Sequence, residues 1–417
     1  METLLIIIIS VLLGLVFYTY AGYPVILYIA GLLRRRRGRT DSDKLPRVAL
    51  IISAHNESRV IRDKIENTLQ LDYPEDRLKI IVASDGSDDG TESIVREYPG
   101  VVLKAFDKRS GKSATLNRAV VGLEEDILIF SDANAFYRKD AVRKLVRNFS
   151  DPDIGCVVGK LVYMDGESSV GKGESLYWRY EALLNWLESR MKSVLVATGT
   201  IFAIRRSLYR PVQSDVANDL QIPADIASQG YGVVYENEAV ATEKATSYYR
   251  EEFRRKYRII VRGLTGYSHL AGDFGSRFRN FQFLSRKLLR WWVGPILTVV
   301  YITNIFLLNR PLFLSLFILQ SLFYLLALAG FITGLGNRQS RFLYIPFYFV
   351  TVNAASFYAI VTFLSGKRYS AWDKAETTRD IGEENRYRKP ELKIVGSEDK
   401  NHRSGGKRKR GKMERIT

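Results

Sequence analysis

The chain has 417 residues, 46% of them hydrophobic and 26% charged, with 62 Lys and Arg against 45 Asp and Glu, a net charge of +17. That length is ample for a sizeable core, and the composition excludes collagen, wholesale disorder and a small disulfide scaffold. One cysteine (Cys156) forbids an intrachain disulfide, and three dispersed histidines offer no zinc pair, so any metal chemistry falls to oxygen ligands and a hard cation.

Thr3 to Leu33 carries no charged side chain, a run of about 31 residues against the ~20 that cross a bilayer core. It is too long for a signal-peptide core, and Arg34 to Arg37 follow at once. The run reads as an anchoring helix whose basic end lies in the cytoplasm. Residues 34–46 read as a basic linker.

From 47 to 266 the pattern changes to a soluble α/β domain. Short β-branched runs at Val48 to Ser53, Leu78 to Ala83, Val101 to Leu103 and Asp126 to Phe130 alternate with polar segments of helical length. That alternation predicts βαβ units and a mostly parallel, Rossmann-like sheet. Such sheets bind ligands at the carboxyl ends of their strands.

Four polar constellations fall at those ends. Ser53-Ala-His-Asn-Glu57 follows the first strand; it can present side chains to a base or ribose, or cap the next helix. Ser84-Asp-Gly-Ser-Asp-Asp-Gly-Thr91 follows the second. Its glycines permit a tight turn and its Asp can recognise a nucleoside, whereas an EF-hand would need Glu where Arg96 stands. Lys108 to Asn117 contains Gly111-Lys-Ser, but the earlier glycine of a P-loop is replaced by Phe106; a lysine opening a helix can still neutralise a diphosphate. Asp132 and Asn134 alternate after the fourth strand, so both can offer oxygen to one Mg²⁺ or Mn²⁺.

Taken in order, these motifs resemble the family 2 glycosyltransferases, inverting GT-A-fold enzymes that include the membrane-integrated cellulose, chitin and hyaluronan synthases. The resemblance covers about 45 to 265. It implies a nucleotide-sugar donor, expected to be UDP-linked, and a saccharide or lipid-linked acceptor. It implies that His55, Asn56, Glu57 and Asp85 meet the nucleoside, that Lys112 meets the diphosphate, and that Asp132 with Asn134 holds Mg²⁺ or Mn²⁺. Asn134 stands where the family often has a second Asp. Ala197 to Arg206 resembles the acceptor segment, implying acceptor-side roles for Thr198, Gly199 and Thr200. Asn218-Asp-Leu-Gln-Ile-Pro223 resembles the stretch carrying the catalytic base, and Asp219 is its one acidic residue, so the resemblance makes Asp219 the base. Gly230 to Glu236 and Ala239 to Glu243 also look like the family.

Processive members carry Gln-x-x-Arg-Trp near the membrane. Here, aligning on Arg258, Arg255 and Ile259 occupy the Gln and Trp positions, which favours one or a few transfers over polymerisation. Arg255 and Arg258 remain candidates for a donor diphosphate, and with Arg254 and Arg262 for a lipid phosphate or anionic headgroups. Processive synthesis is the alternative within the class; a non-catalytic nucleotide-binding scaffold is the alternative outside it. Nucleic acid is not an expected partner, because the basic runs flank hydrophobic stretches.

Residues 267–290 are basic and aromatic and read as an interfacial amphipathic segment. Residues 291–366 hold three charge-free runs of spanning length, and 367–417 form a polar, basic tail, in which Trp372 to Arg379 resembles the family's C-terminal segment near the active site. Counting crossings produces a conflict. Four spans would put the tail outside, whereas its charge favours the inside. Segments interrupted by Gly294-Pro295 or by Pro346 are the candidates for one that does not cross. The expected location is the plasma or inner membrane, multi-pass, with the catalytic domain cytoplasmic.

Overall fold

The computed structural model describes residues 1–33, 45–164, 169–245, 249–270, 274–335, 342–366 and Arg379. The Arg34 to Arg37 cluster and the tail apart from Arg379 lie outside the described residues. Met1–Ile381 forms one compact unit.

Each predicted strand is present and runs one to three residues further toward its carboxyl end. β1 is Val48–Ala54, β2 Leu78–Asp85, β3 Val101–Phe106 and β4 Ile127–Asp132. β5 (Phe136–Tyr137), β6 (Ile154–Met164), β7 (Ile201–Arg205) and β8 (Gly232–Lys244) complete one sheet in the order β3-β2-β1-β4-β7-β6-β8-β5. Parallel pairings (β1–β2, β1–β4, β2–β3, β6–β8) outnumber antiparallel ones (β4–β7, β6–β7, β5–β8).

Both faces of this sheet are covered, which is why β1 reads as a continuous apolar run rather than an alternating one. Val48, Leu50 and Ile52 face one core, with Ile61 and Ile65 of the helix Ile61–Leu69. Ala49 and Ile51 face the other, with Leu116 and Ala119 of the helix Lys112–Val120. All nine are buried, and full burial of each Val, Ile or Leu among them stabilises the fold by about 1.5–3 kcal/mol.

In chain order the helices are α1 (Glu2–Phe17), α2 (Tyr23–Leu32), α3 (Ile61–Leu69), α4 (Thr91–Arg96), α5 (Lys112–Val120), α6 (Ala141–Val146) and α7 (Ser169–Ser189). They continue with α8 (Asn218–Ser228), α9 (Tyr249–His269), α10 (Arg277–Phe283), α11 (Leu289–Asn304), α12 (Pro311–Leu335) and α13 (Tyr344–Leu364). Among the described residues, four helical stretches are long and apolar enough to cross a membrane: Glu2–Leu32, Arg277–Leu307, Pro311–Thr333 and Tyr344–Leu364.

The 267–290 segment differs from its sequence reading. From Arg277 it is the start of the second long helix, and Arg279, Arg286 and Arg290 are buried in it. Arg286 is 2% exposed and ion-pairs with Glu181 and Glu188 of α7 at 2.7 and 2.5 Å. The pattern of basic and aromatic residues is real, but the partners that bury it lie about a hundred positions away in the chain.

α13 also departs from a simple span. Phe347 meets Tyr249 near its start, and Tyr358 meets Phe253 and Tyr257 further along. Ala359 and Ile360 share a core with Ile260, Val261 and Leu264. α13 therefore runs beside the whole of α9, the polar amphipathic helix of the α/β domain. The far end of α11, by contrast, closes against α1 and α12 through Ile9, Val300, Leu307 and Phe313.

Candidate active site

The register of the parallel strands assembles the site. Ser53 pairs with Asp132 and Ala54 with Ser84, so the three motifs following β1, β2 and β4 leave the same sheet edge. Lys112 opens α5 after Gly111, which adopts φ +89°, and its ammonium pairs with the Asp132 carboxylate while reaching the Gly199 carbonyl at 3.4 Å.

Asp219 comes from the other side, in the first turn of α8. Pro223 sits inside that helix and has no N–H to offer the carbonyl four residues back. The Ala197 amide takes that vacancy, donating to the Asp219 carbonyl at 2.8 Å. This bond draws Thr198, Gly199 and Thr200 beside the Asp219 carboxylate. A Cβ on Gly199 would stand 3.6 Å from Asp219 Oδ2 and 3.6 Å from Lys112 Nζ, so the missing side chain keeps open the space between base and cation.

These residues line a cavity of about 1560 Å³. His55, Lys112, Asp132, Asn134, Thr198, Gly199, Thr200, Asp219, Arg255 and Arg258 all reach it. Asn56, Glu57 and Asp85 do not, and their polar atoms serve the scaffold behind it. Asp85 accepts the Ser110 and Gly111 amides, each at 2.8 Å, and so fixes the loop that presents Lys112. Gly86 allows this closeness, because at φ +64° any Cβ there would strike the Arg109 backbone nitrogen at 2.7 Å. Asn56 exchanges two hydrogen bonds with Asp88. Glu57 is 1% exposed and takes a bidentate pair from Arg379, at 2.8 and 3.0 Å. His55 donates from Nδ1 to the Asp85 carbonyl at 2.8 Å, which leaves the rest of the ring toward the cavity.

Charge is unevenly compensated here. Burial raises the Asp219 carboxyl above its ordinary value, with Lys112 and Arg262 pulling it back and Asp132 adding to the rise. Burial together with Asp132 pushes Glu243, at the end of β8, up to about 7. Asn134 donates to Glu243 at 2.5 Å, which gathers two carboxylates and an amide beside the Lys112 ammonium that pairs with Asp132. Among the described residues no three His, Cys, Asp or Glu side chains form a closed metal cage. The oxygen donors of Asp132, Asn134 and Glu243 suit a hard divalent cation that completes its shell with phosphate oxygens.

Several cavity or supporting residues were not singled out by the sequence reading. Glu243 lies in the Ala239 to Glu243 stretch that resembles the family, but no role was read for it there. Lys64 is fully buried in α3 and donates to the Ala135 carbonyl, bracing the Asp132–Asn134 turn. Burial lowers its amine to about 7 despite the pull of Asp132, and its signal was a lysine sharing a helix face with Ile61, Ile65 and Thr68. Trp178 lines the cavity and packs on Tyr163 at 6.0 Å. Thr200 Oγ1 and Asn218 Nδ2 also border it, buried and with no hydrogen-bond partner among the described residues. Unpaired buried polar atoms are costly and so point to a ligand.

Residues 49–212 match the family described as Glycosyl transferase family 2. The chain is 27% identical over 345 residues to a probable glycosyltransferase, YdaM, of Bacillus subtilis, covering 75% of this chain and 80% of that one. It is 34% identical over 118 residues to a beta-monoglucosyldiacylglycerol synthase of Synechocystis, covering 27% of this chain and 25% of that enzyme. Its fold resembles the mannosyltransferase PcManGT of Pyrobaculum calidifontis, solved with GDP-Man and Mn²⁺: TM-score 0.65, 21% identity, 86% of this chain and 99% of that chain covered.

Proposed function

We propose that this chain, which belongs to the family 2 glycosyltransferases, moves a sugar from a nucleotide-sugar donor to an acceptor at the membrane, with inversion at the anomeric carbon. The observation that carries the reading is the Asp219 carboxylate, poised across the open space at Gly199 from the Lys112–Asp132 pair. A single carboxylate there suits one displacement. An acceptor oxygen bonds to the anomeric carbon, the bond from that carbon to the diphosphate oxygen breaks, and Asp219 takes the acceptor proton. General-base assistance of this kind contributes typically 10²–10⁴-fold. Burial raises its pKa, which makes Asp219 a stronger base than an exposed aspartate.

On this reading Lys112 faces the departing diphosphate and offsets its charge. Asp132, Asn134 and Glu243 hold Mg²⁺ or Mn²⁺, whose chemistry when bound is to neutralise that same leaving group. Thr200 and Asn218 supply the unpaired donors for sugar hydroxyls. Ile259, 47% exposed, offers no aromatic face where processive members have one, which supports one or a few additions.

The packing of α13 supports a reading of the membrane arrangement. That helix lies along α9, and Arg379 beyond it sits on Glu57 of the catalytic domain. Three crossings (the first helix, α10–α11 and α12) with α13 held at the cytoplasmic interface put the basic tail on the cytoplasmic side. The conflict in the count of spans then disappears, and the catalytic domain is cytoplasmic.

The test is a screen of nucleotide sugars with the purified chain in native lipid extract, measuring nucleoside diphosphate release with Mg²⁺, with Mn²⁺ and with chelator. Metal-dependent release with at least one donor is expected. Silence with every donor, metal and lipid would favour a non-catalytic nucleotide-binding scaffold instead.

A further inference from the structure

A lysine inside an apolar core needs a reason. Lys64 of α3 is fully buried, and its partners are an oxygen and a ring. Its Nζ donates to the Ala135 carbonyl at 2.5 Å and lies 4.0 Å from the centre of the Tyr137 ring. Burying an ammonium on a carbonyl and an aromatic face costs far more than burying a Leu or Met of similar size, so stability alone does not select it. Its place does give a reason. Ala135 closes the turn after β4, its amide donating to the Asp132 carbonyl at 3.3 Å. Lys64 therefore holds from behind the turn that carries Asp132 and Asn134, and neither Lys64 nor Tyr137 lines the cavity.

Tyr137 carries the contact to the other side of the site. One turn further along α3, Asn67 takes both backbone groups of Tyr137, accepting from its amide at 2.7 Å and donating to its carbonyl at 2.9 Å. With the ring against Lys64 and the backbone on Asn67, the Tyr137 hydroxyl is aimed between β4 and β7. It donates to the Thr200 carbonyl at 2.9 Å, and the Phe130 carbonyl lies 3.3 Å away. Those carbonyls belong to strands that pair only as far as Ser131 and Ile201. Beyond that pair the chains part, one entering the Asp132–Asn134 turn and the other coming from Thr198 to Thr200. Burial pushes the Tyr137 phenol up, so the hydroxyl stays a donor.

We propose that Lys64 and Tyr137 are positioning residues for the transfer: they set the separation between the metal-holding turn, Asp132 to Asn134, and the acceptor segment, Thr198 to Thr200. Neither touches a substrate, and each acts through the backbone it holds. A misplacement of about 1 Å between reacting groups costs on the order of 10²-fold in rate, which is the reason for a rigid frame at this place. The inference rests on the transferase reading above and adds to it how the donor and acceptor halves of the site are kept in register.

The full chain in phosphatidylcholine nanodiscs is compared with Lys64→Met, Tyr137→Phe, the double variant and Ile65→Val, a buried neighbour on α3 that serves as the packing control. Amide hydrogen exchange is read by mass spectrometry over residues 131–137 and 197–203, where the Ala135 and Ile201 amides close their turns. Each single frame variant should speed exchange in both segments about tenfold, and Ile65→Val should change neither. Lys64→Met gives up a hydrogen bond but also the burial of an ammonium, so its unfolding midpoint should stay within a few degrees of the parent. With a donor found by the nucleotide-sugar screen, kcat should fall about tenfold or more in each single variant while donor KM stays within about twofold. The double variant should be at most about twofold slower than the slower single one, because the two residues act as a unit. The proposal is overturned if each variant loosens only its own segment, or if Ile65→Val loosens both as much. It is also overturned if Tyr137→Phe keeps the parental kcat, if the two losses multiply, or if Lys64→Met costs stability but not rate. A parent chain that releases no nucleoside diphosphate from any donor sinks the transferase reading and this inference with it, whereas the other outcomes, in an active parent, sink this inference alone.

Discussion

Replacing Arg379 with Gln tests a contact joining residues 322 positions apart. The guanidinium donates to both Glu57 oxygens, at 2.8 and 3.0 Å, with Arg379 7% exposed and Glu57 1% exposed. Removing one partner of so buried a pair leaves an uncompensated carboxylate and costs about 3–5 kcal/mol. The Glu57 backbone is fixed as well, its amide donating to Thr91 Oγ1 at 2.8 Å. The unfolding midpoint of Arg379→Gln should therefore fall by several degrees, at roughly 2–4 °C per kcal/mol for a domain of this size. Glu57→Gln combined with Arg379→Gln should recover part of that loss, with a coupling energy of about 1–3 kcal/mol in a double-mutant cycle. Thermal unfolding of the four proteins in detergent measures it. Additive effects, or an Arg379→Gln protein as stable as the parent, would show that the pair does not form and would remove the main support for a cytoplasmic tail.

Gly199→Val should leave the unfolding midpoint nearly unchanged while lowering kcat about 10²-fold or more, because the added methyls occupy the space between Asp219 and Lys112; a near-normal kcat would place the reaction elsewhere. Glu243 makes metal-free stability depend on pH. Its folded pKa, about 7, lies above the ordinary 4.5, so the folded state holds the extra proton between those values. Metal-free stability should rise as pH falls from 7 to 4.5, by at most about 3 kcal/mol, and level off above 7. Glu243→Gln should flatten that slope, and an unchanged slope contradicts the assignment. Cys156 is buried, and burial pushes its thiol up, out of reach of labelling at neutral pH. Single cysteines elsewhere then report sidedness. Asn309→Cys should react with an impermeant maleimide from outside the cell and Ser365→Cys only from inside, whereas labelling of both from outside would make α13 a span.

The strands were legible because a sheet covered on both faces demands unbroken β-branched runs, as in Val48–Ala54. The order of the polar motifs was legible for a related reason: each stands at a strand's carboxyl end, and parallel register brings those ends together. What the sequence hid were roles decided by distant partners. Asp85 looks like a ligand contact until Ser110 and Gly111 are seen to occupy it. Pro223 looks like a helix breaker, yet its missing N–H is what ties Ala197 to Asp219. The basic residues before Trp291 look interfacial because Glu181 and Glu188, which neutralise Arg286, belong to another helix. Glu243 and Arg379 each end a stretch that resembles the family, Ala239 to Glu243 and Trp372 to Arg379, but their partners, Asn134 and Glu57, come only from the fold.

Pairing Asp219→Asn with Asp132→Asn tests the central claim most directly, with sugar transfer and Mn²⁺-dependent nucleotide binding measured on the same preparations. The account predicts that Asp219→Asn binds nucleotide and Mn²⁺ as the parent does while transfer drops by about 10²–10⁴-fold. Asp132→Asn should weaken both. A folded Asp219→Asn protein that still transfers sugar at the parental rate would show that another group takes the acceptor's proton.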